Sequence, residues 1–190
     1  MPLKNIRPDK SWSLFLDRDG VINRKIDNDY VKRWEEFHFL PGALEAIRKF
    51  ESIFGKVVIV TNQQGIGKGV FTESDLKATH DKMLEEIMRQ GGRIDKIYFC
   101  PALASDNHSH RKPATGMAFD ALRDFPGIEF NRSVMVGDSI TDMQFGRELG
   151  MVSVYIKEKF PRSKEEQQLI DRCFPSLLDF ANELLTSVRS

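Results

Sequence analysis

Apolar residues in this chain gather in five short runs, at Ser13 to Asp17, Val57 to Thr61, Ile97 to Cys100, Val134 to Gly137 and Val152 to Ile156. Each is bounded by polar or glycine-containing turns, the pattern of a strand buried on both faces. The longer stretches between them carry apolar residues at helical spacing. Pro41 to Phe54 aligns Leu44, Ile47 and Phe50, and Glu73 to Gln90 gathers Met83, Leu84, Ile87 and Met88 on one face expected to lie in the core. Thr72 with Asp75 three residues on is a capping signal for that second helix, and Gly91-Gly92 ends it. Gly116 to Phe125 and Ile140 to Leu149 predict two more helices, the latter closed by Gly150. A charged connector from Lys157 to Glu166 follows the last run. Arg172 to Phe174 is a candidate edge strand, and Ser176 to Leu185 a final helix with Leu177, Phe180 and Leu184 inward. Repeated strand–helix alternation predicts an α/β fold, a Rossmann-like three-layer sandwich around a central parallel sheet, in one domain over residues 1–190.

Composition changes this picture in two places. Lys and Arg number 28, as do Asp and Glu, so no net charge draws the protein to nucleic acid or an anionic membrane, and any anion site has to be built locally. Cys100 and Cys173 are the two cysteines, too few for a disulfide scaffold. Met1 to Lys10 has no apolar run, no stretch approaches the roughly 18 apolar residues of a membrane span, and the expectation is a cytoplasmic monomer.

In such sheets ligands gather beyond the carboxyl ends of the strands. The first strand ends in Asp17-Arg18-Asp19-Gly20-Val21-Ile22-Asn23, where residues two apart face the same side, so Asp17 and Asp19 point into one site. The second ends in Thr61-Asn62-Gln63-Gln64-Gly65, and the fourth in Gly137-Asp138-Ser139 with Asp142 just beyond. Polar and acidic residues thus terminate three strands on one edge. Carboxylates about 4 Å apart repel by about 4 kcal/mol per pair at an effective dielectric near 20, so a cation has to join them. Hard oxygen donors without His or Cys favour Mg²⁺, with Asp17 and Asp138 as its natural ligands. Arg111-Lys112-Pro113, after the third strand, supplies a basic partner on the same edge.

These segments, Asp17-x-Asp-Gly-Val-Ile, Thr61-Asn62, Lys112 and Gly137-Asp-Ser-x-x-Asp142, resemble in order the four motifs of the haloacid dehalogenase-like phosphatases, over residues 13–156. Leu16 to Asn23, Tyr30-Val31, Phe37 to Gly42, Thr61 to Ile66 and Arg111 to Pro113 resemble in particular the subgroup of D-glycero-D-manno-heptose 1,7-bisphosphate 7-phosphatases and histidinol-phosphatases. The resemblance implies a Mg²⁺-dependent phosphomonoesterase of carbohydrate metabolism that removes the 7-phosphate of heptose 1,7-bisphosphate, a lipopolysaccharide precursor, with histidinol phosphate as the alternative substrate. It implies Asp17 as nucleophile through an aspartyl-phosphate, and Asp19 as general acid and then base, its pKa raised by anionic neighbours. Thr61 and the Asn62 backbone would hold phosphoryl oxygens, and Lys112 would offset charge. The metal would take the Asp17 and Asp138 side chains and the Asp19 carbonyl. Asp142 would orient Lys112 or the metal's waters, and Arg111, Asn62 and Gln63 would hold the rest of the substrate. No large cap domain interrupts the motifs.

The chain departs from that subgroup in one loop. Relatives often carry a structural zinc there on a Cys-x-His pair followed by Cys-x-Cys. Here the positions are Cys100-Pro101-Ala102 and His108-Ser109-His110, leaving Cys100, His108 and His110, with Asp106 or water to complete the shell; a tetrahedral zinc normally takes four side chains, so a loop ordered by hydrogen bonds is expected. Gly65-Ile66-Gly67-Lys68-Gly69 fits no nucleotide-binding template and is expected to form a flexible loop at the mouth, with Lys68 a candidate substrate contact. Arg24 to Trp34, which mixes basic and aromatic residues, is expected to overhang the site, with gating of substrate and plain solvated surface as its two readings. A polynucleotide 3′-phosphatase is disfavoured by the neutral charge, a kinase or mutase by the lack of a nucleotide motif and cap, and a non-catalytic domain by the presence of both Asp17 and Asp19.

Overall fold

The computed structural model of the protein describes residues 6–188; Met1 to Asn5, part of the Met1 to Lys10 stretch, and residues 189–190 of the domain expected over 1–190 lie outside them. Six parallel strands form one sheet in the order β3-β2-β1-β4-β5-β6: β1 Ser13–Leu16, β2 Lys56–Asn62, β3 Lys96–Cys100, β4 Ser133–Gly137, β5 Val152–Ile156 and β6 Arg172–Phe174. The order reverses at β1, so the chain leaves β1 and β4 in opposite directions and opens a crevice at their carboxyl ends. The strands pair in register, Leu14 beside both Val57 and Val134.

The period-2 alternation sorts each strand's side chains to two cores. Leu14, Leu16, Val57, Ile59, Val134 and Val136 pack on one face under α1 Ala43–Ile53, α3 Glu73–Arg89 and α7 Leu177–Val188, through residues such as Phe50, Met83 and Phe180. Phe15, Val58, Val60 and Met135 pack on the other under α4 Gly116–Asp124 and α5 Ile140–Glu148, against Met117, Ala121 and Phe145. The expected capping box is present at the start of α3, Thr72 Oγ1 accepting from Asp75 N at 3.1 Å. Cys100 and Cys173 are both free thiols. Among the described residues no helix is long and apolar enough to cross a membrane.

Three local expectations are corrected. Met88 is 71% exposed, although Met83 and Ile87 on the same helix are buried; it lies one residue past the centre of the apolar stripe, and the helix rotates it out. The connector expected over Lys157 to Glu166 runs into a short helix, α6 Lys164–Gln167, capped by Ser163. The glycine-rich segment is packed as the helical turn α2 Gln64–Gly67. A methyl group on Gly65 would sit 2.2 Å from the Phe71 ring, and one on Gly67 2.6 Å from the Pro101 carbonyl, so these glycines permit close approach.

Candidate active site

The tips of β1, β2 and β4, with the loop after β3, close around a cavity of about 220 Å³ lined by Asp17, Asp19, Thr61, Asn62, Gln63, Arg111, Lys112, Asp138 and Asp142. The expected catalytic, substrate-binding and magnesium-holding residues therefore lie at one place, whereas Lys68, also expected to meet substrate, does not line the cavity and sits over the Tyr30 ring, 5.6 Å from its centroid. Asp17 continues β1 and donates its backbone N–H to Val136 O, 2.9 Å, which ties it to β4. The chain then winds around the Arg18 carbonyl, which accepts from Val21, Ile22 and Asn23 N–H groups. Gly20 turns this loop with φ +90°, and a Cβ there would lie 2.4 Å from Asp138 Oδ2. Only glycine lets the Asp19–Gly20 backbone close on Asp138.

Lys112 is buried, and its ammonium meets Asp17 Oδ1 at 2.9 Å, Asp142 Oδ1 at 2.6 Å and Val60 O at 2.6 Å. Burial works against this charge, but Asp142 and Asp17 outweigh it and hold the pKa above its ordinary value. Asp142 is fixed from its other oxygen, which accepts from Ser139 N at 3.1 Å and Ser139 Oγ at 2.6 Å in the capping box of α5. Held in this way, it faces Lys112, one of the two partners expected for it. Asn62 serves the same residue: its Oδ1 accepts from Lys112 N at 3.0 Å, and its Nδ2 donates to Lys112 O at 3.1 Å. The Asn62 side chain braces the lysine's backbone on the wall of the cavity.

Burial pushes the Asp17 carboxyl up to about 7, with Lys112 opposing and Asp142 and Asp19 adding to the rise. Carboxylate oxygens of Asp17, Asp138 and Asp142 all lie within 4.8 Å of one another. Asp138 Oδ1 is buried with no hydrogen-bond partner, while its Oδ2 meets the half-exposed Lys157 at 3.1 Å and Lys25 at 3.8 Å. An orphaned carboxylate oxygen within an all-oxygen cluster is the donor set a hard divalent cation takes, so the residues present fit Mg²⁺.

Asp19 departs from expectation. Burial does favour the protonated form. However, Arg18 Nη2 and Asn23 Nδ2 both donate to Oδ1 at 2.9 Å, and Gln63 Nε2 donates to Oδ2 at 2.9 Å. These donors win, and the pKa lies below the usual carboxylate value. Gln63 also donates to Thr61 Oγ1 at 2.9 Å, so its side chain ties two site residues together. Sequence reasoning gave no role to Arg18, to the Asn23 side chain or to His80. Arg18 is 1% exposed, and its Nη1 donates to His80 Nε2 at 3.0 Å across a separation of 62 residues. An amphipathic helix with one histidine on its buried face carries no signal of such a contact.

Burial, and then the Arg18 charge, lower the His80 pKa from 6.5 to about 3. Below pH about 6.5 the unfolded chain takes up a proton at His80 that the folded chain refuses, so stability falls as pH drops towards 3. Between pH 7 and pH 5 this removes about 2 kcal/mol. In His80→Gln that part of the loss is expected to vanish, which urea unfolding at the two pH values checks; an unchanged loss contradicts the assignment.

The three zinc candidates do not converge. Cys100 Sγ meets His108 Nδ1 at 3.7 Å, but His110 Nε2 is bonded to Asp120 Oδ2 at 3.0 Å, and Asp106 Oδ2 accepts from Leu103 N at 2.9 Å. Arg111 Nη1 donates to Ala102 O at 3.0 Å and closes the loop over the site. Tyr30 and Val31 line the cavity, so the Arg24 to Trp34 segment does overhang it.

Residues 109–180 match the family model described as HAD-hydrolase-like. A D-glycero-alpha-D-manno-heptose-1,7-bisphosphate 7-phosphatase of Mycobacterium bovis is 35% identical over 175 residues, 92% of each chain. This chain belongs to the haloacid dehalogenase-like phosphatases. The group within that family is the heptose-bisphosphate phosphatases: an enzyme of the same name from Campylobacter jejuni is 41% identical over 152 residues, 79% of this chain and 86% of that one. The crystal structure of the D,D-heptose 1,7-bisphosphate phosphatase from B. bronchiseptica, complexed with magnesium and phosphate, superposes with a TM-score of 0.81 at 33% identity, covering 92% of this phosphatase and 98% of that one.

Proposed function

We propose that this phosphatase removes the 7-phosphate of D-glycero-D-manno-heptose 1,7-bisphosphate with the help of Mg²⁺. One observation carries the substrate reading: the cavity that holds the reacting carboxylates is also lined by Lys25 and Arg111, which offer a second cationic position to a substrate with two phosphates. Arg111 is aimed there by its bonds to Ala102 O and, at 3.3 Å, to Gln64 Oε1. The names of the relatives and the fit of the bisphosphatase structure from B. bronchiseptica support the same reading.

In this reading Asp17 is the nucleophile. One of its oxygens attacks phosphorus, the sugar alkoxide leaves with a proton from Asp19, and Asp19 then takes a proton from the water that hydrolyses the aspartyl-phosphate. Asp17, Asp138 and the Asp19 carbonyl would hold Mg²⁺, which would supply charge neutralisation for the phosphoryl group. Lys112 supplies the same from the protein side, and Thr61 and the Asn62 backbone hold the remaining oxygens. Oδ1 of Asp19 accepts from both Arg18 and Asn23, whereas Oδ2 accepts from Gln63 alone, so Oδ2 is the oxygen with room to exchange a proton with the leaving group.

Phosphate release from heptose 1,7-bisphosphate, histidinol phosphate and a 3′-phosphorylated oligonucleotide, with and without Mg²⁺, tests this. The heptose bisphosphate is expected to have the highest kcat/KM, and chelation to abolish its turnover. A preference for either other substrate overturns the substrate reading, and turnover in chelator overturns the metal.

A further inference from the structure

Arg18 is a large cation in the interior of the protein, with 1% of its surface exposed and its Nε buried without a hydrogen-bond partner. Two of its edges are committed. Nη2 holds Asp19 Oδ1 at 2.9 Å, and Nη1 reaches across to His80 Nε2 at 3.0 Å, on the far side from the cavity. A guanidinium only donates, so His80 Nε2 is an acceptor and the ring is the neutral tautomer with its proton on Nδ1. His80 sits on the buried face of α3 with Leu76, Thr79 and Met83, and α3 is a 17-residue helix held by its capping box. It is a rigid support for whatever it touches.

Rigid support matters at this point because Arg18 lies in a loop, whereas the Asp19 carboxyl has to meet a leaving-group oxygen within a few tenths of an ångström. Phe37 offers only its ring, 6.0 Å from the guanidinium carbon. Without an acceptor at position 80, the Nη1 edge is left unpaired in an apolar interior, a costly state that the side chain relieves by moving. Any such movement is passed directly to Asp19 Oδ1.

We propose that His80 is a positioning residue for catalysis: its ring nitrogen pins one edge of Arg18 so that the other edge fixes the Asp19 carboxyl towards the leaving group. The low pKa of His80 supports this, because the ring stays neutral, and so an acceptor, at neutral pH. The inference rests on Asp19 being the general acid, as set out under Proposed function.

The test compares two leaving groups. An alkoxide, as in heptose 1,7-bisphosphate, needs a proton to depart, whereas the nitrophenolate of p-nitrophenyl phosphate does not. The ratio of kcat/KM on the alkyl substrate to kcat/KM on the aryl substrate, which reads only as far as departure of the leaving group and leaves out the shared hydrolysis of the aspartyl-phosphate, therefore reads the general acid and cancels losses common to both. His80→Asn, too short to reach Arg18, is expected to lower this ratio by about tenfold, a fraction of the hundredfold or more that general acid catalysis supplies. His80→Gln, which presents a carbonyl at the right reach, is expected to restore it to within about threefold of wild type on the same scale. If His80→Asn is not recovered folded, His80→Leu gives the same comparison with an apolar side chain. Asp19→Asn serves as the reference and is expected to lower the ratio at least as far. An unchanged ratio in His80→Asn or His80→Leu alongside a lowered one in Asp19→Asn overturns the role of His80 alone. An equal fall in His80→Gln overturns it as well. An unchanged ratio in Asp19→Asn overturns the general acid itself.

Discussion

Asp17→Asn is expected to lower kcat by a factor on the order of 10⁴ while the protein remains folded. The amide keeps the size of the carboxyl and its place at the end of β1, but it cannot attack phosphorus. Stability is expected to change little. Burial pushes the Asp17 carboxyl up to about 7, so in the metal-free protein its ionisation opposes folding as pH rises from the ordinary value of 3.8 through 7. The amide removes that cost, and it also removes one of the two carboxylates facing Lys112. Steady-state kinetics with saturating Mg²⁺, together with a melting curve in chelator, check both statements. Residual turnover within about a hundredfold of wild type contradicts covalent catalysis by Asp17. A collapse of Tm contradicts the expected small change in stability.

Lys112→Met is expected to damage stability and turnover together. The ammonium at 2.6 Å from Asp142 Oδ1 and 2.9 Å from Asp17 Oδ1 is buried with both partners, and removing it leaves two carboxylates facing each other. Breaking a buried pair in this way costs about 3–5 kcal/mol, which for a chain of this size is a fall in Tm of roughly 10 °C. Loss of a charge aimed at the developing phosphoryl oxygens is expected to lower kcat by a further factor of about 10²–10³. The double variant Lys112→Met/Asp142→Asn separates the two effects. It is expected to recover much of the stability and none of the activity, because the uncompensated charge is gone but the cation is still missing. Recovery of activity in the double variant would contradict a role for Lys112 at the reacting phosphate.

The fold was legible because its signals are local. Apolar runs of four or five residues bounded by turns are too short for a helix and suit a strand buried on both faces, and the Thr72 cap fixes where α3 begins. The edge of the site was legible for a related reason: acidic or polar residues end β1, β2 and β4, and in a parallel sheet those ends share one side. What the sequence did not disclose depends on contacts between distant segments. The Arg18–His80 bond spans 62 positions and joins two residues that each look unremarkable where they stand. The low pKa of Asp19 has the same origin, since counting anionic neighbours leaves out the donors brought by Arg18, Asn23 and Gln63. Gly65 reads as flexibility until Phe71 is seen packed where its side chain would be.

The claim on which the rest stands is that Asp17 bonds covalently to the phosphoryl group beside a divalent cation. Reduction of the working enzyme with borohydride converts an aspartyl-phosphate to homoserine, and peptide mass spectrometry then locates the modified position. Homoserine at position 17, formed only with substrate and Mg²⁺ together and absent from Asp17→Asn, is the expected result. Homoserine at Asp19, Asp138 or Asp142, or none at any position while phosphate is being released, contradicts it.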